Sequence, residues 1–223
     1  MDDPFTEPTD TREAILGAAF RALCEHGYAD LTIKRIGEAF EKSPSLVYHH
    51  YDGKDELLVD LLEFLLEDFE AAIAGGAFDL PPRARLDAYV AAMTDPDGVD
   101  DEHAPDGRFL VAMVELRAQA ATDGAYREHF DRSDRVFRRF LERSVREAAA
   151  EARPDGRSGA AGAVSEGVDD GVAPAAVAET LQTLATGAML RWSTTTDREW
   201  AGAVREEASR YLSRTLPAVD PEA

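Results

Sequence analysis

Three features of this 223-residue sequence predict an all-α fold. Apolar side chains recur at spacings of three and four, as in Ile15, Ala19, Phe20 and Leu23, which is the period of a helix. No stretch alternates apolar and polar residues convincingly with the period of a strand. Gly27, Gly75-Gly76 and Pro81-Pro82 punctuate the periodic stretches where helices have to end or start.

Residues 1–10 are polar with two prolines and are expected to form a mobile arm. A first helix runs from Thr11 and stops at Gly27, a residue suited to a left-handed C-terminal position. Thr32 caps a short second helix that carries Ile33, Ile36 and Phe40. Ser43-Pro44 reads as cap plus first helical residue of a third helix with Leu46, Val47 and Tyr51. A fourth opens near Lys54, with Asp55 and Glu56 in its first turn where the helix dipole favours acids. Leu57, Leu58, Leu61, Leu62, Leu65, Phe69 and Ile73 extend it to Gly75-Gly76. Further helices are expected at 83–94, 107–121, 124–152, 173–191 and 197–215. The acidic stretch 95–106 reads as an exposed loop, and 154–171, rich in Gly, Ala and Asp, as a mobile connection with little to bury. Three regions follow: an arm at 1–10, a three-helix unit at 11–53 and a larger helical domain at 54–216.

Apolar residues make up 44% of the chain, and 10 Phe, 6 Tyr and 2 Trp can build a core, so the composition predicts a globular protein. No apolar run approaches the roughly 20 residues needed to span a bilayer. The N-terminus lacks the basic start and apolar core of a signal peptide, and one cysteine, Cys24, excludes an internal disulfide framework. A cytoplasmic location is expected. The chain carries 44 acidic against 24 basic side chains, a formal charge of −20, with three lysines against 21 arginines. Acid spread over the whole length suggests a surface adapted to high salt, and a halophilic, archaeal source. At about 1 M salt the Debye length is roughly 3 Å, so distant carboxylates would barely repel a polyanion.

All three lysines, Lys34, Lys42 and Lys54, fall in one short window. From Leu31 to Lys54 four cations (Lys34, Arg35, Lys42, Lys54) face three acids (Glu38, Glu41, Asp52), net +1 in a chain of −20. A segment whose charge balance reverses that of the rest of the chain is expected to face phosphate. Two short helices with a tight turn between them and a third behind read as a helix-turn-helix, the recognition helix running from Ser43 to about Tyr51. Ile33, Ile36, Phe40, Leu46 and Val47 face inward onto Ile15, Phe20 and Leu23. Lys34, Lys42, Ser43, Ser45, Tyr48, His49 and His50 remain outside, the donor types that phosphate and base edges require. His49 and His50 do not read as a metal pair, because neighbours on a helix point about 100° apart. The run Asp100-Asp101-Glu102-His103 reads as a solvated loop. No metal site and no cofactor are expected.

The residues Gly27-Tyr28-Ala29-Asp30-Leu31-Thr32, Ile36, Ser43, Leu46-Val47-Tyr48-His49-His50-Tyr51 and Lys54-Asp55-Glu56-Leu57 resemble the TetR family of transcriptional regulators. The resemblance is specific over residues 11–60 and rests on architecture beyond. It implies a homodimeric all-α repressor whose N-terminal helix-turn-helix is joined by a long fourth helix to a ligand-binding and dimerisation domain. It implies phosphate contacts from Thr32 and Lys54, a base or phosphate contact from Lys34, and a reading surface through Ser43, Ser45, Tyr48 and His49, with Tyr48 and His50 near the backbone. One departure is Glu41, where the family's turn usually has Gly; a left-handed non-Gly residue costs on the order of 1 kcal/mol.

The resemblance also implies that the last two helices build a four-helix dimer interface. Val177, Leu181, Leu184 and Ala188 form one stripe and Trp200, Val204, Ala208 and Tyr211 another, at spacings that suit bundle packing. Met93, Phe109, Met113, Phe130, Phe137 and Trp192 are candidate lining for a cavity that takes a small apolar or amphipathic effector. The expected function is a double-stranded-DNA-binding regulator, a repressor released from a palindromic operator by a small molecule. The alternative is a helix-turn-helix regulator without such control, whose C-terminal domain serves only dimerisation or protein contacts. No catalytic triad, phosphate loop or zinc spacing supports an enzyme.

Overall fold

The computed structural model describes residues 5, 7–40, 44–76, 78–98, 107–151 and 173–216. They form nine α-helices and no strand: α1 (Thr11–Asp30), α2 (Ile33–Ala39), α3 (Pro44–His50), α4 (Lys54–Gly75), α5 (Pro82–Thr94), α6 (Gly107–Gln119), α7 (Gly124–Glu151), α8 (Pro174–Thr194) and α9 (Glu199–Thr215). A single 3-10 turn, Pro96–Gly98, follows α5. Glu41, Lys42, Ser43, the run Asp100–His103 and the stretch 154–171 lie outside the described residues.

Local chemistry accounts for the ends. Asp10 caps α1 by accepting the Glu13 N–H at 2.8 Å, while Glu13 accepts the Thr9 N–H at 2.6 Å, a reciprocal arrangement that satisfies two orphan donors. Gly27 kinks α1 at φ 71°, ψ 166°, and one further turn follows to Asp30. A side chain at that φ is strained, which is why the signal for a helix stop is a glycine. Thr32 caps α2 by accepting the Arg35 N–H at 3.2 Å. α4 ends where Gly76 turns left-handed at φ 81°, ψ 16°.

α1 packs on α2, α4 and α6; α3 rests on α2; α5 lies against α7, α8 and α9; and α6 and α7 both reach α8. One apolar cluster joins Ile15, Leu16 and Leu23 of α1, Ile36 of α2 and Val47 of α3 to Leu57, Leu58 and Leu61 of α4. The same cluster continues into Leu116 of α6 and Tyr126 and Phe130 of α7, so the N-terminal helices and the body share a core. Fully burying a side chain such as Leu58 contributes about 1.5–3 kcal/mol. A second cluster holds Leu86, Val90, Leu141, Val145, Leu181 and Leu212, and a third lies at the α8–α9 turn.

Two expectations are corrected here. Phe5, assigned to the free arm, is buried: its ring stacks on Phe64 at 4.9 Å and meets Phe20 at 5.9 Å. An apolar side chain next to an open apolar site docks even from a polar segment. Phe20 does not point into the recognition helices; half-buried, it stands between Phe5 and Phe109, with Phe109 at 6.0 Å.

Candidate nucleic-acid interface

The interface is built on α2 and α3. Ile33, Ile36 and Phe40 bury one side of α2, and Val47 and Tyr51 anchor α3 and its end. Tyr51 is tied further: its hydroxyl donates to Asp60 Oδ2 at 2.6 Å, and the same carboxylate receives Arg12 Nε at 2.9 Å and Nη2 at 2.5 Å. The start of α1, the end of α3 and the middle of α4 thus meet at one carboxylate. Burial alone would raise the Asp60 carboxyl, but the hydrogen bonds from Arg12 and Tyr51 outweigh it and hold it below its ordinary value. Burial, and then the hydrogen bond to Asp60, pushes the Tyr51 phenol up, so it stays a donor.

With Val47 turned in, Ser45, Tyr48, His49 and His50 of α3 are left at the surface, and Tyr48 is 61% exposed. His49 and His50 meet edge to face at 6.0 Å. Thr32 is exposed, and its hydroxyl proton is not used by the cap, where the oxygen accepts. The Lys34 side chain is 82% exposed and pairs with Glu38 one turn on at 3.6 Å, a contact worth about 0.3–0.5 kcal/mol at most.

Lys54 is placed at the first position of α4, as the spacing predicts, but its ammonium already has partners. Nζ donates to the Tyr28 carbonyl at 2.9 Å and sits 3.9 Å above the centre of the Tyr28 ring. An ammonium has three donors, so an outer anion remains within its capacity.

Sequence reasoning missed the partners around Tyr28. Its N–H donates to Glu115 Oε2 on α6 at 2.7 Å and its hydroxyl to Asp55 Oδ1 on α4 at 2.9 Å. Tyr126 of α7 donates to that same Asp55 oxygen at 3.1 Å, and the two phenol rings meet edge to face at 6.5 Å. Only the Gly27-Tyr28 pair itself signals such a joint; Glu115 is 87 residues away and follows from no local pattern.

The six expected cavity residues are dispersed. Phe109 meets Phe20, Phe130 is buried in the shared core beneath the Arg117 guanidinium at 4.9 Å, and Met113 packs against that core. Phe137 packs on Phe69 at 4.5 Å, Met93 is half-buried on α5, and Trp192 is buried against Gly107 and beneath Arg198. The aromatic ones among them pack against other parts of the chain, the usual fate of aromatics at helical spacing. A cleft of about 470 Å³ between α6, α7 and α8 is lined by none of them. Its walls are charged: Arg117 pairs with Asp134 across it at 2.5 Å and Arg138 with Glu179 at 3.6 Å, and Gln182 donates to Asp134.

Of the eight residues expected at a dimer interface, five are buried within the single chain and three are half-buried. Val177, Leu181, Ala188, Trp200 and Ala208 are buried within one chain, and Leu184, Val204 and Tyr211 are half-buried against the same clusters. The apolar stripes of α8 and α9 face α5 and α7 or each other, because that is where one chain has apolar surface to cover them. The outward face of α8 is Ala176, Thr180, Thr183, Gly187 and Leu190, and that of α9 is Ala203, Glu207, Arg210 and Arg214.

Two family descriptions match the chain: "Bacterial regulatory proteins, tetR family" over residues 15–61, and "BetI-type transcriptional repressor, C-terminal" over residues 82–217. The HTH-type transcriptional repressor AcnR of Corynebacterium glutamicum is 28% identical over 143 residues, 62% of this chain and 68% of that protein. The HTH-type transcriptional regulator BetI of Brucella anthropi is 34% identical over 89 residues, 38% of this chain and 44% of that regulator. The chain therefore spans less than half of that second relative's length. The crystal structure of a TetR transcription regulator from Haloarcula marismortui superposes with a TM-score of 0.69 at 32% identity, covering 92% of this chain and 97% of that one.

Proposed function

This chain belongs to the TetR family of DNA-binding transcriptional regulators, and on that premise we propose that it works as a homodimeric repressor inside the cell, released from a palindromic operator by a small molecule. Residues 11–53 serve as the reading head and 54–216 as the body. The observation that carries this is the outward face of α3: Ser45, Tyr48, His49 and His50 stand exposed on a helix whose inner face, Val47, is fully buried. They lie in a stretch, Leu31 to Lys54, that carries four cations against three acids in a chain of net charge −20. In this reading Ser45 and His49 meet base edges. Ser43 belongs with them to the reading surface, Thr32, Tyr48, His50 and Lys54 meet phosphate, Lys34 meets a base or phosphate, and Lys42 is a further donor to the DNA.

The test is to enrich duplexes from a random pool with the protein, then measure binding of Ser45→Ala and His49→Ala. Both variants should bind the enriched duplex about 5–150-fold more weakly and a scrambled one about as well as before, since a good base contact discriminates by about 1–3 kcal/mol. Equal losses on both duplexes would remove the base-reading role.

A two-fold partner is needed to place two heads roughly 34–36 Å apart on one face of DNA. The buried stripes of α8 and α9 are already used within the chain, so the outward faces centred on Gly187 and Ala203 are the surface for it. The charged cleft opens beside this face, with Thr183 on both. Its walls favour a charged or zwitterionic effector over the apolar guest that Met and aromatic residues suggested, because each charge it contacts must stay paired. A ligand there shifts the head only through different affinity for two arrangements of the dimer. The acid excess supports a salt-adapted surface, and a halophilic source fits both that balance and the kinship with the Haloarcula regulator.

A further inference from the structure

Tyr28 is held from every side it offers. Glu115 of α6 accepts its N–H at 2.7 Å, Lys54 of α4 donates to its carbonyl at 2.9 Å and covers its ring at 3.9 Å, and Asp55 of α4 accepts its hydroxyl at 2.9 Å. Asp55 is in turn held from the body by the Tyr126 hydroxyl at 3.1 Å. These contacts gather at the kink where α1 hands over to the reading helices, one residue after a glycine at φ 71°. A Cβ on Gly27 would stand 3.1 Å from both Glu115 carboxylate oxygens, so the glycine also makes room for the carboxylate.

We propose that Glu115 and Asp55 are positioning residues for sequence-specific DNA recognition: they clamp Tyr28 between the body and α4 and so fix the angle at which α2 and α3 leave the body. Neither carboxylate is suited to touch DNA, because both are anions and both already accept hydrogen bonds at the joint. Their effect is on geometry. A bidentate base contact tolerates displacements of only a few tenths of an ångström, whereas phosphate attraction falls off gently with distance and survives a tilted head. Loss of the clamp therefore costs the specific complex and spares the non-specific one. The phenols remain donors throughout: burial first, and then the hydrogen bond to Asp55, pushes Tyr28 up to about 12, and burial likewise raises Tyr126. The chain supports the clamp from the far side. Gly107, at the start of α6, lies so close to Trp192 that a Cβ would be 2.1 Å from the indole, and Glu115 is eight residues along the same helix, about 12 Å away.

The inference rests on the reading that this head binds DNA sequence-specifically, but not on which residues of α3 meet the bases. The experiment uses the full chain and two probes: a duplex enriched from a random pool by the native protein, and the same duplex scrambled. Glu115→Ala should weaken the enriched duplex about tenfold and the scrambled one less than twofold, with the salt slopes of both unchanged. Glu115→Gln, whose amide oxygen still accepts the Tyr28 N–H, should return to within about twofold of native. Tyr126→Phe, which keeps the buried ring and deletes only the hydroxyl, should cost about threefold on the enriched duplex alone. Equal loss on both duplexes, no loss in either Glu115→Ala or Tyr126→Phe, tighter binding of the enriched duplex, or a Gln variant as weak as Ala would each overturn the positioning role. Failure of the base-reading assignment looks different: Ser45→Ala and His49→Ala would then lack selectivity while the Glu115 series keeps it.

Discussion

At the scale of single residues, the informative groups are those whose chemistry is already committed. Lys54 is one. Its position at the head of α4 invites a phosphate, yet its ammonium also ties the Tyr28 carbonyl and ring. Lys54→Ala should weaken both duplexes, the enriched one more because the hold on Tyr28 is lost as well, and flatten the salt slope by about one unit, read by titration at several KCl concentrations. An unchanged slope would assign Lys54 to the joint alone. His129 is the other. It is buried, its Nδ1 has no hydrogen-bond partner among the described residues, and burial, with Arg132 and Arg117 nearby, pulls its pKa down to about 4. The unfolded chain takes up a proton near pH 6.5 that the folded chain refuses until about pH 4, so stability is complete above 6.5 and falls between 6.5 and 4. The slope from this residue approaches about 1.4 kcal/mol per pH unit at most. His129→Leu should flatten the pH dependence of the unfolding midpoint across that window; an unchanged profile would place the acid sensitivity elsewhere.

At the scale of elements, α6 is the part that touches both ends of the molecule. It packs on α1 and on α8, with Gly107 under Trp192 at its start and Glu115 at the Tyr28 N–H further on. The α8–α9 turn against it is closed by a crossed pair of contacts, Arg191 over Trp200 at 4.7 Å and Arg198 over Trp192 at 4.4 Å. Trp192 therefore has little freedom to yield. Gly107→Ala should cost about 1–3 kcal/mol, the range for overpacking a filled site, measured by denaturant unfolding. A neutral result would mean that the indole swings aside freely.

For the whole molecule, the arrangement of two heads depends on a surface that one chain leaves uncovered. A Cβ at Gly187 meets nothing within 4 Å in the single chain, so Gly187→Arg should fold normally yet elute and scatter as one 24.3 kDa chain, whereas the proposed homodimer has twice that mass. A native-sized variant would move the interface off α8. A net charge of −20 repels itself at low salt, and raising KCl from about 0.2 to 2 M should therefore raise the unfolding midpoint; a flat or falling midpoint would count against a salt-adapted surface.

Helix order, the caps at Thr32 and Gly76, a positive-φ break at Gly27 (though the helix resumes for one turn rather than stopping there) and the exposed face of α3 are legible in the residues themselves, because period, capping and φ preference act within a few positions of the chain. The same local rules could not tell an apolar stripe that meets its own chain from one that meets a second copy, which is why Val177, Leu181 and Trp200 were assigned outward and lie inside. Nor could they bring Glu115 to Tyr28, Asp60 to Arg12 or Asp134 to Arg117, pairs made across helices far apart in sequence. Those meetings depend on how nine helices pack, and packing is settled by the shape and burial of all of them at once.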